Sequence, residues 1–423
     1  MAATKSPKQT TRCSTLQAAV GQLTLIEHCL CPLDARASLR ENLVHETSFG
    51  YSKDKKRKQA SVRVTCPGGL STEDEFFLWG LLSLTLSQPK PSANFFATRH
   101  YCLKQLGKID SRRRGGRQYQ QLAESLERLS LVSYRNDAFY DPLRGEHRRV
   151  SFGFLSYSLP MDGDSSRVWQ ISWDPIFFEY CLAARSVLAF DFEVYTELDP
   201  ASRRLFLLLH KLFWRYRTTP AIDIRELGTN VLGFSDSLRT SEIKVRIAKL
   251  AERLRLRDII AGEANFQKRA KGEFTVRFSK GKFFGRKVAR PASNRIESPL
   301  AEPLRSIGFG DHECQRILHK FDEHLIQQWS DVTLAAVEHK GRSFFKRSPQ
   351  AFFMHNVQHA SQGTRTPPDW WLDLRKRESL ANANLGSPES ERPPNAKPLS
   401  VSNVLAEVIE AGLVPALDKT VVK

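Results

Sequence analysis

No uninterrupted apolar run in this sequence approaches the roughly 20 residues that a membrane-spanning helix needs, which argues against a helical membrane protein. The opening stretch Met1-Ala2-Ala3-Thr4-Lys5-Ser6-Pro7 has neither an apolar signal region nor a small-residue cleavage site, so a cytoplasmic chain is expected. Cysteine is sparse: seven residues, an odd number scattered over 423, do not make a disulfide framework. The Gly-x-x-x-x-Gly-Lys-Ser/Thr phosphate loop is missing, which argues against an ATP-driven motor. So is any His-x-His pair followed by a tyrosine-bearing helix, which a metal-dependent DNA-nicking enzyme would need. His28-Cys29-Leu30-Cys31 has no second pair at zinc-ribbon spacing. A non-enzyme without metal or cofactor is expected.

Acidic residues are also in deficit. Asp and Glu number 46 against 64 Lys and Arg, a formal charge of +18, and such an excess attracts a polyanion because each neutralised phosphate releases condensed counterions. The apolar fraction of 41% suffices for packed cores, and the length points to two or three domains.

Residues 1–64 read as an N-terminal extension, with a short amphipathic helix from Leu16 to Leu30. Its basic run Lys53-Asp54-Lys55-Lys56-Arg57-Lys58 reads as a solvated flexible segment, with a DNA-phosphate arm as the alternative. Ser71-Thr72-Glu73-Asp74 caps an apolar helix from Phe76 to Leu86, stopped by Pro89 and Pro91. Further helices are predicted over Ser92–Leu106 and Gly116–Leu131, then two strands, Val132–Tyr140 and Arg148–Leu159, around a turn at Asp141–Gly145. On the third helix Leu122, Leu126 and Leu129 share one face and Arg117, Gln120, Gln121 and Arg128 the other. Three helices followed by a hairpin is the winged-helix order.

The order recurs. A helix begins at Asp199-Pro200 and runs through Leu205, Leu208, Leu209, Leu212 and Phe213; a short one covers Asp223–Leu232 and a long one Ser241–Leu256. A hairpin of Asp258–Ala261 and Glu273–Phe278 follows, around the turn Lys268-Arg269-Ala270-Lys271-Gly272. Glu127-Arg128-Leu129-Ser130-Leu131 also matches Glu252-Arg253-Leu254-Arg255-Leu256 in letters. The expected architecture is therefore α+β and mainly helical. Two tandem winged-helix domains, 65–165 and 199–284, are joined by a connection, 166–198, holding a strand Val168–Trp173 and a helix Pro175–Ala184. A linker, 285–303, leads to a small C-terminal helical module, 304–360. A flexible tail, 361–423, carries a short helix near Val401–Leu413. Trp79, Trp173, Trp214 and Trp329 read as core. For Trp370-Trp371, docking on a partner and local packing stand as equal alternatives.

A helix fits the major groove of B-DNA, and side chains from its first turns reach base edges while its positive end faces phosphate. The candidate contacts in the first unit are Arg112, Arg113, Arg114, Arg117, Gln120 and Gln121. In the second they are Arg239, Ser241, Lys244 and Lys249, which lie away from the packing face of Ile243, Ile247, Leu250 and Leu254. Arg144, His147, Arg148 and Arg149 on one hairpin, and Lys268, Arg269 and Lys271 on the other, are candidates for phosphate contacts.

Glu73-Asp74-Glu75-Phe76-Phe77-Leu78-Trp79, the segment Tyr119–Tyr134, the block Trp169-Gln170-Ile171-Ser172-Trp173-Asp174-Pro175, and Asp199–Arg217 resemble the plasmid replication initiator protein A family. The iteron-binding initiators are more distantly similar. The resemblance covers roughly residues 65–283 and is one of order and spacing. It implies binding to double-stranded DNA at origin repeats, opening of an adjacent A+T-rich segment, and recruitment of the host initiator and replicative helicase, with a homodimer among the assemblies and a nucleoid or plasmid location. It also implies base readout by Arg239, Ser241, Lys244 and Lys249, with support from Arg112, Arg113, Arg114 and Arg117. The alternative is a winged-helix transcriptional regulator.

Overall fold

A computed structural model describes residues 15–53, 56–109, 115–162, 165–183, 186–285 and 297–385, a mixed α and β structure. The chain enters through strand β1 (Ala18–Gln22) and the single turn α1 (Ala35–Ser38), then forms a long antiparallel hairpin of β2 (Leu43–Lys53) and β3 (Lys56–Cys66). Along β3 the residues Ala60, Val62, Val64 and Cys66 are buried while Ser61 and Arg63 are exposed, the alternation of a half-buried strand. The helix expected over Leu16–Leu30 is absent. Leu16, Ala19, Leu25, Ile26 and Leu30 are all buried, so their spacing marked burial, and pairing of β1 with a later strand overrides local helix preference.

Helix α2 (Thr72–Leu86) begins as its letters predict. Ser71 and Asp74 form a reciprocal capping box, with the Ser71 hydroxyl accepting from the Asp74 N–H and the Asp74 carboxylate accepting from the Ser71 N–H. The helix predicted over Ser92–Leu106 is instead strand β4 (Asn94–Ala97) followed by α3 (Arg99–Gln105), divided at Thr98, whose hydroxyl caps α3 by accepting from the Tyr101 N–H. Then come α4 (Gly116–Ser130), β5 (Ser133–Asp141), β6 (Glu146–Phe152), β7 (Leu155–Ser158), β8 (Trp169–Trp173) and α5 (Pro175–Leu182). Two antiparallel sheets result, β2-β3-β5-β6 and β4-β8-β7. The strand expected in a connection is thus the middle strand of the second sheet.

Strand β9 (Val187–Asp191) pairs with β1 and leads through α6 (Phe192–Glu197) into α7 (Pro200–Phe213), with Asp199 as N-cap and Pro200 in the first turn. A two-residue strand β10 (Ile222–Asp223), the turn α8 (Ile224–Glu226) with a π-helical continuation (Leu227–Val231), and the long α9 (Thr240–Arg255) follow. The hairpin of β11 (Ile260–Ala270) and β12 (Glu273–Lys280) closes this half, in sheet order β10-β12-β11.

The matching letters at the ends of α4 and α9 have a physical meaning. Arg128 reaches back to Asp74 at the start of α2 through Nε and Nη2, at 2.8 and 2.9 Å. Arg253 reaches back to Asp199 at the start of α7, at 2.6 Å. Both pairs span 54 residues, so each half closes its long helix onto its first helix with the same clasp. The halves share one core. At their junction Glu75 of α2 and Arg204 of α7 form a buried two-bond pair at 2.9 and 2.7 Å, and Arg204 also donates to the Leu232 carbonyl. The Phe76 ring stacks on Phe192 and Tyr195 beside them.

Helices α10 (Ala301–Ile307), α11 (Asp311–Lys320), α12 (Glu323–Lys340), α13 (Pro349–Ser361) and α14 (Asp369–Leu385) surround a second core containing Trp329, Phe353 and Trp371. The stretch after Ser361, expected to be flexible, therefore carries α14. Trp371 is buried, donates its indole N–H to Asp331 at 2.8 Å, and together with Leu374 holds α14 in place. Trp370 packs beside Phe344, so this tryptophan pair is engaged locally. The chain divides into units at Ser379. Of the second unit only residues 380–385, the end of α14, are described. The short helix expected near Val401–Leu413 lies outside the described residues.

Trp79, Trp173 and Trp329 are buried as expected. Trp214 is a correction, being 77% exposed. It follows the last residue of α7, where the helix turns out of the core, so the helical register that placed Leu212 and Phe213 no longer governs it.

Candidate nucleic-acid interface

In the second half, α9 buries Ile243, Ile247, Leu250, Ala251 and Leu254 and leaves the other side of the helix open. Arg239, at the N-cap, is exposed, and its own N–H is satisfied by the Glu242 carboxylate at 2.8 Å. Ser241, Val245, Arg246 and Lys249 are exposed along the following turns. Val245, 53% exposed, is an apolar group on the open face.

Beside this helix the β11–β12 hairpin turns at Lys271-Gly272, where Gly272 takes φ 83°, a conformation that suits glycine in a tight hairpin turn. Lys268, Arg269 and Lys271 are exposed around the turn. Among the described residues, Arg239, Lys249, Lys268, Arg269 and Lys271 have no carboxylate within ion-pair distance. Lys244 differs from its neighbours. It is half-buried with its ammonium 5.3 and 4.9 Å from the Phe266 and Phe274 ring centres, so it ties the helix to the hairpin by cation–π attraction. That contact fixes the hairpin against the first half of α9.

The first half is arranged differently. Arg112, Arg113 and Arg114 lie outside the described residues. Arg117 is exposed; Gln120 donates to Glu124 at 2.8 Å; Gln121 is half-buried. Arg128, placed on the open face from its spacing, is bound to Asp74, whose carboxylate also accepts from Ser125. On the β5–β6 hairpin Arg144 and Arg148 both approach Asp141, at 3.0 and 3.6 Å, Arg148 also lies 3.5 Å from Glu146, and Arg149 is 3.1 Å from Asp137. Asp141 is fully buried at the turn and its carboxylate is held below the usual range; burial opposes this, and the Arg144 hydrogen bond and charge outweigh it. The hairpin cations are thus partly neutralised by their own chain. Spacing alone missed this because the partners sit across the turn and across the strands.

The Cys29 sulfur lies 3.2 Å from the His45 Nε2, and burial pushes its thiol up to about 12, so at neutral pH it is a protonated thiol. Among the described residues no group of three or more His, Cys, Asp or Glu is placed to hold a metal ion. No described helix is long and apolar enough to cross a membrane.

No family model matches the sequence, and no curated protein matches it. Among solved structures, the chain is similar to domains 2–3 of RctB, at 13% identity over 61% of this chain and 96% of that chain, with a TM-score of 0.38. It is also similar to a selenomethionine form of domain 2 and domain 3 of RctB, at 14% identity over 61% and 98%, with a TM-score of 0.41.

Proposed function

We propose that the chain is a non-catalytic, sequence-specific binder of double-stranded DNA, built on two tandem winged helices and acting as a replication initiator at repeated sites of a plasmid-type origin. The observation that carries the proposal is the second half's surface: an open helix face with Arg239 at its N-cap and Lys249 farther along, flanked by the basic turn of a hairpin, all without a carboxylate partner among the described residues. The order of helix, short strand, short helix, long helix and hairpin, with sheet order β10-β12-β11, supports the winged-helix reading. In this function Arg239, Ser241 and Lys249 face base edges, while Lys268, Arg269 and Lys271 face phosphates. Recruitment of host replication proteins and a homodimeric form belong to the same proposal, and rest on the sequence resemblance.

Replacing Arg239 and Lys249 by Ala is expected to weaken binding to the preferred site about ten- to a hundredfold more than binding to random duplex, since a good base contact contributes roughly 1–3 kcal/mol of discrimination. The preferred site is first located by footprinting the gene's own flanking DNA. Equal losses at both kinds of site would show that α9 does not read bases. Initiation is tested by asking the gene with its flanking repeats to maintain a plasmid lacking its own initiator. Failure with site-specific binding intact identifies a regulator instead.

A further inference from the structure

The exposed Trp214 opens a run of consecutive exposed residues, Trp214-Arg215-Tyr216-Arg217, at the end of α7. Trp214 is the C-cap, one residue past Phe213, the last side chain of the helix to enter the core. The backbone beyond it is held firmly. The Leu212 carbonyl accepts from the N–H groups of Arg215 and Tyr216 at 3.0 Å each, the Arg217 carbonyl accepts from the Lys280 N–H at 2.8 Å, and Thr218 bridges to Ser279 of β12. Lys280 also donates from its ammonium to the Phe213 carbonyl at 2.9 Å, a cation at the negative end of the α7 dipole. The main chain thus fixes this turn to the sheet, and the side chains of Trp214, Arg215, Tyr216 and Arg217 are not needed to hold it.

Those side chains share a chemistry. Trp214 is 77% and Tyr216 44% exposed, while the preceding Leu212 is half-buried and Phe213 buried, so the apolar surface offered here is made of flat rings. The Arg215 guanidinium lies 5.9 Å from the Trp214 ring centre, which presents ring and cation together. Among the described residues neither Arg215 nor Arg217 has a carboxylate within ion-pair distance. Exposed rings interleaved with unpaired guanidinium groups meet the two requirements of a nucleic-acid strand whose bases are unpaired: a face on which a base stacks, and a cation for its phosphate. A duplex is a poorer match, since its base faces are already covered by their neighbours. The turn also lies apart from the basic hairpin turn. It sits at the Lys280 end of β12, and Lys271-Gly272 at the other end, a strand length of about 24 Å away.

We propose that Trp214-Arg215-Tyr216-Arg217 is a stacking site for single-stranded DNA, in which Trp214 and Tyr216 take unpaired bases and Arg215 and Arg217 the flanking phosphates. Every base has a π-face, so the site tolerates any sequence. The assignment goes beyond the duplex contacts of α9 and its hairpin, and takes from that function only the choice of DNA.

The test is binding of the full chain to a labelled oligothymidylate of about 15 nucleotides, within the site sizes of single-strand binders, with oligouridylate of equal length and a random-sequence duplex in parallel. Trp214→Ala is expected to weaken oligothymidylate binding about five- to a hundredfold, the effect of losing one stacked base, with the slope of log K against log salt unchanged. Trp214→Phe keeps a ring and should retain most of the affinity. Arg215→Gln with Arg217→Gln should instead lower the slope by about 1.4, at about 0.7 per phosphate contact on a single strand. Duplex affinity and thermal melting without DNA should be unchanged in Trp214→Ala, since the ring is exposed. No oligothymidylate binding by the unmodified chain, or binding that Trp214→Ala leaves unchanged, overturns the stacking site, and is the result expected if these side chains serve a protein partner. Tighter binding of oligouridylate than of oligothymidylate overturns the choice of DNA. Absence of duplex binding in the unmodified chain overturns the function proposed above, and leaves the single-strand measurements to be read by themselves.

Discussion

Three histidines are held neutral by burial. His28, between the two halves with its Nε2 3.1 Å from the Tyr134 hydroxyl, is pushed down to about 3 by burial, with His45 and Lys211 adding repulsion. His45 and His210 are each lowered to about 4, again first by burial, with Arg204 and Lys280 respectively as further causes. In the unfolded chain a histidine titrates near 6.5. The unfolded state therefore binds more protons than the native one between about pH 6.5 and 3–4, and stability must fall as pH drops through that window. Above pH 7 these groups contribute no pH dependence, and below pH 3 their effect is complete. The unfolding free energy from urea titrations at pH 7, 6 and 5 should decline, by a total on the order of a few kcal/mol. His210→Phe should flatten part of that decline without a lost hydrogen bond at Nδ1, which is buried and unpartnered among the described residues, and it keeps the stacking on Phe206 and Phe284. An unfolding free energy that stayed level from pH 7 to 5 would rule out neutral buried histidines.

At the scale of elements, the two clasps offer a comparison within one chain. Asp74 is fully buried and Arg128 largely so, whereas Asp199 and Arg253 are 36% and 56% exposed. Removing one partner of a buried pair strands a charge and costs about 3–5 kcal/mol, while an exposed pair contributes about 0–1 kcal/mol. Arg128→Ala should accordingly destabilise the chain by about 3 kcal/mol, somewhat softened because Ser71 and Ser125 still bond Asp74, and Arg253→Ala by less than about 1. Denaturant unfolding of both variants measures the difference, and equal losses would mean that burial does not distinguish the clasps. The same elements show what was legible in the sequence. Helices marked by a capping residue, as α2 and α7 are, or by an apolar stripe, as α4, α7 and α9 are, were legible within a few residues. The N-terminal strands were not, because β1 owes its form to β9, far along the chain, and β2 and β3 to each other and to β5. Of the candidate surface, the exposed cations of α9 and its hairpin were legible from periodicity. Their state of pairing was not: Arg148 and Arg149 find acids across strands, and Lys244 finds two phenylalanines.

At the scale of the whole chain up to Ser379, one arginine joins the C-terminal helices to the first half, and sequence pattern gave no hint of it. Arg167 lies just before β8 and is almost fully buried; its guanidinium donates to Asp331 of α12 at 2.8 and 3.0 Å and to Glu378 of α14 at 2.5 and 3.2 Å. Asp331 also accepts from the Trp371 indole, so one carboxylate links three elements. A single Arg in a polar stretch carries no periodic signal, and its acids follow by more than 160 residues. Removing it leaves two carboxylates buried without their bidentate cation, at a cost of about 3–5 kcal/mol, which the chain relieves most cheaply by releasing the helices that carry them. Arg167→Met should therefore raise amide hydrogen exchange in α12 and in α14 up to Ser379 while leaving exchange in α9 unchanged. Removing all three charges, with Asp331→Asn and Glu378→Gln added, should restore most of the protection, because a buried ion pair often contributes little net stability over neutral groups of similar size. The DNA binding proposed for α9 and its hairpin should persist in both variants, since that surface belongs to the other half. Unchanged protection in Arg167→Met would show that the remaining contacts, among them those of Glu338 with Ser165 and Ser166 and the apolar packing around Trp329 and Trp371, hold the C-terminal helices without it.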